Sequence, residues 1–252
     1  MSLATRFFSA SAVFVLACAA SLAHADSKIR VGNLYEYIPG KTASITKTIR
    51  NDGDATGFVR VEIKRISYDA AGKDIETDQP ADGSLNNRLI VSPNRLIVPA
   101  QGARSVRLLY TGARDTEQYF RVRFTPVLPD RNDGFDVSAE TEKAFASAGV
   151  KVMVGYGAVV VMRPSNEIYD TQVETFADHA VITNRGNSTV IIDNFFECSE
   201  SGNKCQNPVK KHVLPGRHVD YYAKSKSSIK FEIIEGDRKQ EKSIQFSSAS
   251  NQ

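Results

Sequence analysis

The chain has 252 residues, 41 % of them hydrophobic and 24 % charged, with a formal net charge of +3. That apolar share with so little net charge excludes a disordered chain, and the charge makes no electrostatic case for nucleic-acid binding. Three cysteines are too few for a disulfide-dense mini-scaffold, and the length suits one large domain or two small ones.

Residues 1–25 read as an export signal. Arg6 gives a basic start, an apolar stretch runs from Phe7 to Ala23, and Ala23-His24-Ala25 is a small-x-small cleavage site. A buried helix, an uncleaved anchor and a lipobox-like Val15-Leu16-Ala17-Cys18 are the alternatives. Beyond the signal no apolar run reaches the ~20 residues of a spanning helix, so no membrane insertion is expected after cleavage. Cleavage would leave 227 residues beginning at Asp26, with a net charge of +2 once Arg6 is gone. Cys18 leaves as well. Cys198 and Cys205 then remain, and in an exported chain this close pair reads as one disulfide. Two free thiols are the alternative; a zinc pair is disfavoured because no histidine lies within it.

Period-two alternation marks strands along the rest of the chain. The first long run is Phe58-Val-Arg-Val-Glu-Ile-Lys-Arg-Ile66, preceded by a polar hairpin turn at Asp52–Gly57. Arg88-Leu-Ile-Val91 and Arg95-Leu-Ile-Val98 flank Ser92-Pro93-Asn94, and Arg104–Tyr110 follows a Pro99–Gly102 turn. Tyr119–Phe124 sets Phe120, Val122 and Phe124 on one face and Arg121 and Arg123 on the other. Glu140–Ser147 is read as a single helical turn or a loop. Val150–Met162 is a long β-branched strand that Pro164 ends. Shorter strands follow at Ala180–Thr183, Thr189–Asp193, Val219–Tyr222 and Ile229–Ile234. Strands at this spacing, with Gly, Pro, Asn and Asp between them, indicate an all-β chain of two sandwiches, 26–164 and 165–252.

Motifs for catalysis are missing or broken. Gly40-Lys41-Thr42 lacks the leading glycine of a phosphate loop, since Tyr35 stands there. Gly155-Tyr156-Gly157 is two-thirds of a dinucleotide fingerprint, with Val160 where the third glycine belongs. Asp52-Gly53-Asp54 opens like a calcium loop, yet Ile63 holds the place of the required glutamate. His179, His212 and His218 have no metal-ligand spacing and read as solvated surface residues. These near misses point to a binding or structural protein rather than an enzyme.

Several segments, in order, carry a resemblance. They are Thr48-Ile-Arg-Asn51, Val59–Arg65, Leu89–Ala100, Tyr119–Phe124 and the valine-rich strand ending at Arg163-Pro164. Asn184-Arg-Gly-Asn187, the Cys198/Cys205 pair and Leu214-Pro-Gly216 continue it. The chain resembles the periplasmic pilus-assembly chaperones of the chaperone/usher pathway, most of all the alternate branch serving the common pilus and class 5 fimbriae. The resemblance implies two immunoglobulin-like sandwiches at an angle, with no enzymatic activity and no cofactor, metal or nucleotide. It implies pilus subunits and an outer-membrane usher as partners, and no nucleic acid. Self-association through an exposed edge strand is a further expectation.

In that family the last strand of the first domain is lent to a subunit that lacks its own. Here this falls on Val150, Val152 and Val154, with Lys151 and Met153 on the other face. The alternative is that these valines fill the chain's own core. Family members hold the subunit's carboxylate with two basic residues in the interdomain cleft. Spacing places those positions on Tyr35 and Val159, neither of them basic, leaving Arg30, Lys151 and Arg163 as candidate carboxylate contacts. A pilus structural subunit or adhesin, and a periplasmic carbohydrate-binding sandwich, are the alternative functions. The absence of Trp argues against the latter.

Overall fold

The computed structural model describes residues 26–80, 86–129, 134–135, 137–146, 153–223 and 226–247. The expected signal, with the lipobox-like Cys18, lies outside the described residues, as do Val150, Lys151 and Val152. The chain is almost wholly β. The first ten strands are β1 (Ile29–Arg30), β2 (Tyr35–Ile38), β3 (Ser44–Asn51), β4 (Gly57–Tyr68), β5 (Asp74–Asp78), β6 (Arg88–Ser92), β7 (Arg95–Val98), β8 (Ala103–Thr111), β9 (Gln118–Val127) and β10 (Tyr156–Met162). They form two facing sheets, ordered β1-β3-β8-β6 and β2-β10-β9-β4-β5, with β7 also on β4. The second sandwich holds β11 (Thr171–Thr175), β12 (His179–Asn184), β13 (Val190–Ser199), β14 (Val209–Val213), β15 (His218–Tyr222), β16 (Ser227–Glu235) and β17 (Arg238–Gln245). Its sheets are ordered β11-β12-β15 and β14-β13-β16-β17.

Each sandwich closes over its own core because alternate residues of each strand point inward. Ile49, Leu89, Val106 and Leu108 of one sheet meet Val59, Phe120, Phe124, Val160 and Met162 of the other. In the second sandwich Ala180 and Ile182 face Val190, Ile192, Ile229 and Phe231. The Phe120/Val122/Phe124 face is buried as the alternation requires. Cys198 and Cys205 form a disulfide. Lys47 points inward at the rim of the first sandwich, where its ammonium lies 2.7 Å from Glu36 and donates to the Asn33 carbonyl. That pair clips β2 to the opposite sheet.

Two expectations need correction. Asp52–Gly57 is no hairpin turn, because β3 and β4 lie in different sheets and this segment carries the chain across. Residues Ala139–Ala146 form a two-turn helix, α1, rather than a single turn. Ser138 caps it, its hydroxyl accepting from the Thr141 amide at 3.2 Å, and Glu140 and Glu142 complement the first turn. Its Phe145 packs edge-on against Phe58. A helix with a single pinning aromatic leaves no periodic stripe to read.

The two sandwiches repeat one device. Ile49-Arg-Asn51-Asp-Gly53-Asp-Ala-Thr56 and Ile182-Thr-Asn184-Arg-Gly186-Asn-Ser-Thr189 share their spacing. Asn51 and Asn184 are fully buried, and each amide group staples the loop that follows it. Asn51 Nδ2 donates to the Ala55, Val98 and Pro99 carbonyls, while its Oδ1 accepts from the Lys28 and Gly53 amides. Asn184 Nδ2 donates to the Ser188 and Val213 carbonyls, and its Oδ1 accepts from Gly186. The two glycines let an incoming segment lie against the loop. A Cβ on Gly53 would stand 2.0 Å from the Asp26 oxygen, and one on Gly186 2.2 Å from the Ile168 oxygen.

Candidate functional site

Strand β10 has one fully paired side and one half-open side. On the first, β9 pairs antiparallel with it from Tyr156 to Met162. On the second, β2 pairs parallel with it only from Val159 onward. Leu34 caps that junction by accepting the Val159 amide at 2.7 Å. Tyr156, Gly157 and Ala158 therefore present an edge with no strand pairing on that side among the described residues. Such an edge is a ready template for another strand.

Residue parity extends this edge chemically. Ala158, Val160 and Met162 point into the first core, with Tyr156 packed against it. Val154 belongs to the same row but precedes the strand, and it is 59 % exposed. Its neighbour Met153 is exposed too. The expectation of one strand over Val150–Met162 thus meets a regular strand only from Tyr156. Val150, Lys151 and Val152 lie outside the described residues.

The opposite row, Val159 and Val161, faces the second sandwich with Ile66, Tyr37, Tyr68 and Tyr119. Register sets Tyr35, Val159 and Arg121 side by side across three strands. The two places where spacing puts the family's basic pair are therefore direct neighbours, occupied by a phenol and a valine. Tyr35 stacks on His212 at 4.2 Å, and Tyr37 hydrogen-bonds the His212 ring. A cleft of about 390 Å³ lies here, lined by Tyr35, Lys73, Tyr119, Arg121, Val159 and His212 among others. The Arg121 guanidinium is already held by Asp74 at 3.1 Å and Glu76 at 3.0 Å.

Of the candidate carboxylate contacts, Arg30 is exposed on the outer face of its sheet and ion-paired with Asp52. Arg163 is buried at the junction, 3.4 Å from Glu167, with its guanidinium over the rings of Tyr37 and Tyr169. It braces the connection between the sandwiches.

The reading of the histidines as solvated is corrected for His212, which is half-buried in the cleft, and for His179, which is half-buried and stacked on the rings of Phe176 and Tyr222. Sequence reasoning also missed Glu117. Its buried carboxylate accepts from the Thr189 amide at 2.9 Å, from the Thr189 hydroxyl, and from the Tyr119 hydroxyl at 2.5 Å. Arg217 donates to the Asp69 and Ala70 carbonyls at 2.7 and 2.8 Å. No motif announces these residues, since each gains its partner only when the sandwiches dock.

Burial makes the interface respond to pH in two opposed ways. Desolvation, and to a lesser degree nearby Lys210, pushes His212 down to about 4 from an ordinary 6.5. Its contribution is fully present above pH 6.5 and is lost as pH falls toward 4. Desolvation pushes Glu117 up, against hydrogen bonds from Thr189 and Tyr119 that pull it down. Its contribution is fully present below the ordinary carboxylate range and is lost as pH rises through its raised pKa. We expect His212→Gln to remove about 1–2 kcal/mol of stability loss on acidification from pH 7 to 4.5, after discounting for solvent at the half-buried ring. Thermal melts check this: the wild type should lose Tm faster than the variant. Glu117→Gln should change the slope in the opposite sense. Parallel wild-type and His212→Gln profiles would remove the histidine from the account.

Among the described residues no cluster of His, Cys, Asp or Glu could hold a metal ion, and no helix is long and apolar enough to cross a membrane. No family model matches the chain. It is 26 % identical over 190 residues to a probable fimbrial chaperone, EcpB, of Escherichia coli, covering 74 % of this chain and 78 % of that one. Its fold is that of the class 5 fimbriae chaperone CfaA, with a TM-score of 0.54 and 21 % identity over 87 % of this chain and 99 % of the other. The CupB2 chaperone of Pseudomonas aeruginosa has the same fold, with a TM-score of 0.52 and 14 % identity over 86 % of this chain and all of that one. Sequence and architecture agree: this chain is a relative of the fimbrial chaperones of chaperone/usher pili, a non-enzymatic family of two-sandwich proteins.

Proposed function

We propose that the chain is a periplasmic chaperone that binds pilus subunits by lending them the edge that ends in β10, and hands them to an outer-membrane usher. In this reading residues 1–25 export the chain and are removed, 26–164 bind the subunit, and 165–252 form the second domain. The observation that carries it is the half-open side of β10, with Val154 exposed on the core-facing row. A pilus subunit without its last strand exposes apolar surface and unpaired backbone groups. An added strand satisfies the backbone by hydrogen bonds, and alternate side chains fill the groove. Val150, Val152 and Val154 would be those side chains.

The chaperone role of EcpB and CfaA supports this reading, as does a solved complex of the Salmonella enterica pilin SafA with the chaperone SafB. No nucleotide or metal is needed, because the subunit folds more completely once its own kind replaces the lent strand. The test is co-expression with a pilus subunit, sought among the genes that neighbour this one. A soluble one-to-one complex is expected, and subunit that aggregates equally with and without the chain would refute the role.

A further inference from the structure

The sheet β1-β3-β8-β6 contains no Asp or Glu in any of its four strands, yet it carries Arg30, Lys47, Arg50, Arg88, Arg104 and Arg107. Lys47 turns inward to Glu36. Arg30, Arg50 and Arg107 project from the exposed outer face beside Thr46 and Thr48. The facing sheet, by contrast, mixes its arginines with Glu36, Glu62, Asp74, Glu76 and Asp78. A chain close to neutral overall therefore concentrates positive charge on one side.

Register sharpens the point. Arg30 and Arg50 sit directly opposite each other on β1 and β3, a like-charge pair that is unfavourable by itself. Asp52, on the adjoining loop, answers Arg30 alone. Arg107 spends its guanidinium on the Ser44 hydroxyl, and among the described residues Arg50 has no acidic side chain within ion-pair distance. Arg30 and Arg50 also line a groove of about 460 Å³ with Thr48, Leu34 and Tyr156. Leu34 and Tyr156 mark the two ends of the half-open stretch of β10. The basic face and the strand-pairing edge are thus one continuous surface.

We infer that this arginine face is a second contact for the polypeptide that pairs with β10, and that the partner presents carboxylates to Arg30 and Arg50. The inference rests on the strand-lending function proposed above. Arginine suits the task, because its planar fork grips a carboxylate with two parallel hydrogen bonds. Continuity with the edge favours this occupant over an anionic lipid surface, which needs no groove beside a strand. Charges at the rim of an interface act mainly on the association rate and on its salt dependence.

The test measures capture of a pilus subunit, diluted from denaturant, by the wild type and by an Arg30→Gln/Arg50→Gln double variant. At low salt the variant should bind about tenfold more weakly, mostly through slower association, and the gap should close in 0.5 M salt. Its Tm should match the wild type; Arg50→Gln replaces it if it does not. A wild-type complex whose affinity and salt slope the variant leaves unmoved overturns this inference alone. So does loss of binding only to phosphatidylglycerol vesicles. A wild-type chain that captures no subunit overturns strand lending as well.

Discussion

Val154→Asp is expected to abolish capture of pilus subunits while leaving the chain folded, and Val152→Asp is expected to do the same. The two halves of that result have separate causes. Val154 is 59 % exposed and precedes β10, so an aspartate there stays in water in the free chain and disturbs no core contact. In the complex the same position would lie in the apolar groove of a subunit. An unpaired carboxylate there costs several kcal/mol, and even about 3 kcal/mol weakens binding more than a hundredfold. Far-UV circular dichroism and Tm should match the wild type, and the co-expressed subunit should precipitate. Val160→Asp makes the contrast. It shares the row, yet it is fully buried in the chain's own core, so it should unfold the first sandwich rather than spare it. If Val154→Asp still protects a subunit from aggregation, the row before Tyr156 is not what fills the groove.

What the sequence reveals about this site follows from which signals are local. Alternation is local, so Phe120, Val122 and Phe124 of β9 declare their buried face without knowledge of neighbours. The valine-rich stretch declares its parity for the same reason. Where regular pairing begins is not local. A run of alternating residues looks the same whether it has strands on both sides, on one, or on neither. Hence Val150–Met162 reads as a single strand, while β10 starts at Tyr156, between two glycines. The asymmetry between the β9 side and the β2 side, which defines the open edge, exists only in the sheet.

The cleft divides in the same way. Spacing brings Tyr35 and Val159 to related positions, and the register makes them neighbours. Nothing in the segment Val209–Val213 marks His212 as the residue that stacks on Tyr35, since its neighbours are two lysines and a valine. Glu117 looks like one more surface acid until Thr189 of the other sandwich closes over it. The charged face is an intermediate case. The missing acids can be counted once the strand boundaries are known, but only the sheet order gathers those four strands on one side.

Replacing Asn51 by Ala should have the largest stability effect among substitutions that change little volume. Its side chain is 1 % exposed. Removing it takes a partner from the Ala55 and Val98 carbonyls and from the Lys28 and Gly53 amides together, while the Pro99 carbonyl keeps the Gly102 amide. Each buried group left without a partner costs roughly 1–3 kcal/mol, less where water can reach it, so about 3–5 kcal/mol is expected in all. That is a large share of the 5–15 kcal/mol typical of a domain. Asn184→Ala strands fewer groups and should cost the second sandwich about 2–3 kcal/mol. Asn51→Asp separates hydrogen bonding from size. It keeps the acceptor that serves Lys28 and Gly53, but turns a second carboxylate oxygen toward the three carbonyl oxygens that the amide had bonded. It should therefore destabilise at least as much as Ala, although it is almost isosteric. Urea denaturation measures all three. Both Asn51 variants within about 1 kcal/mol of the wild type would mean that water replaces the amide, and that the repeated Asn-x-Gly device shapes its loop without holding it.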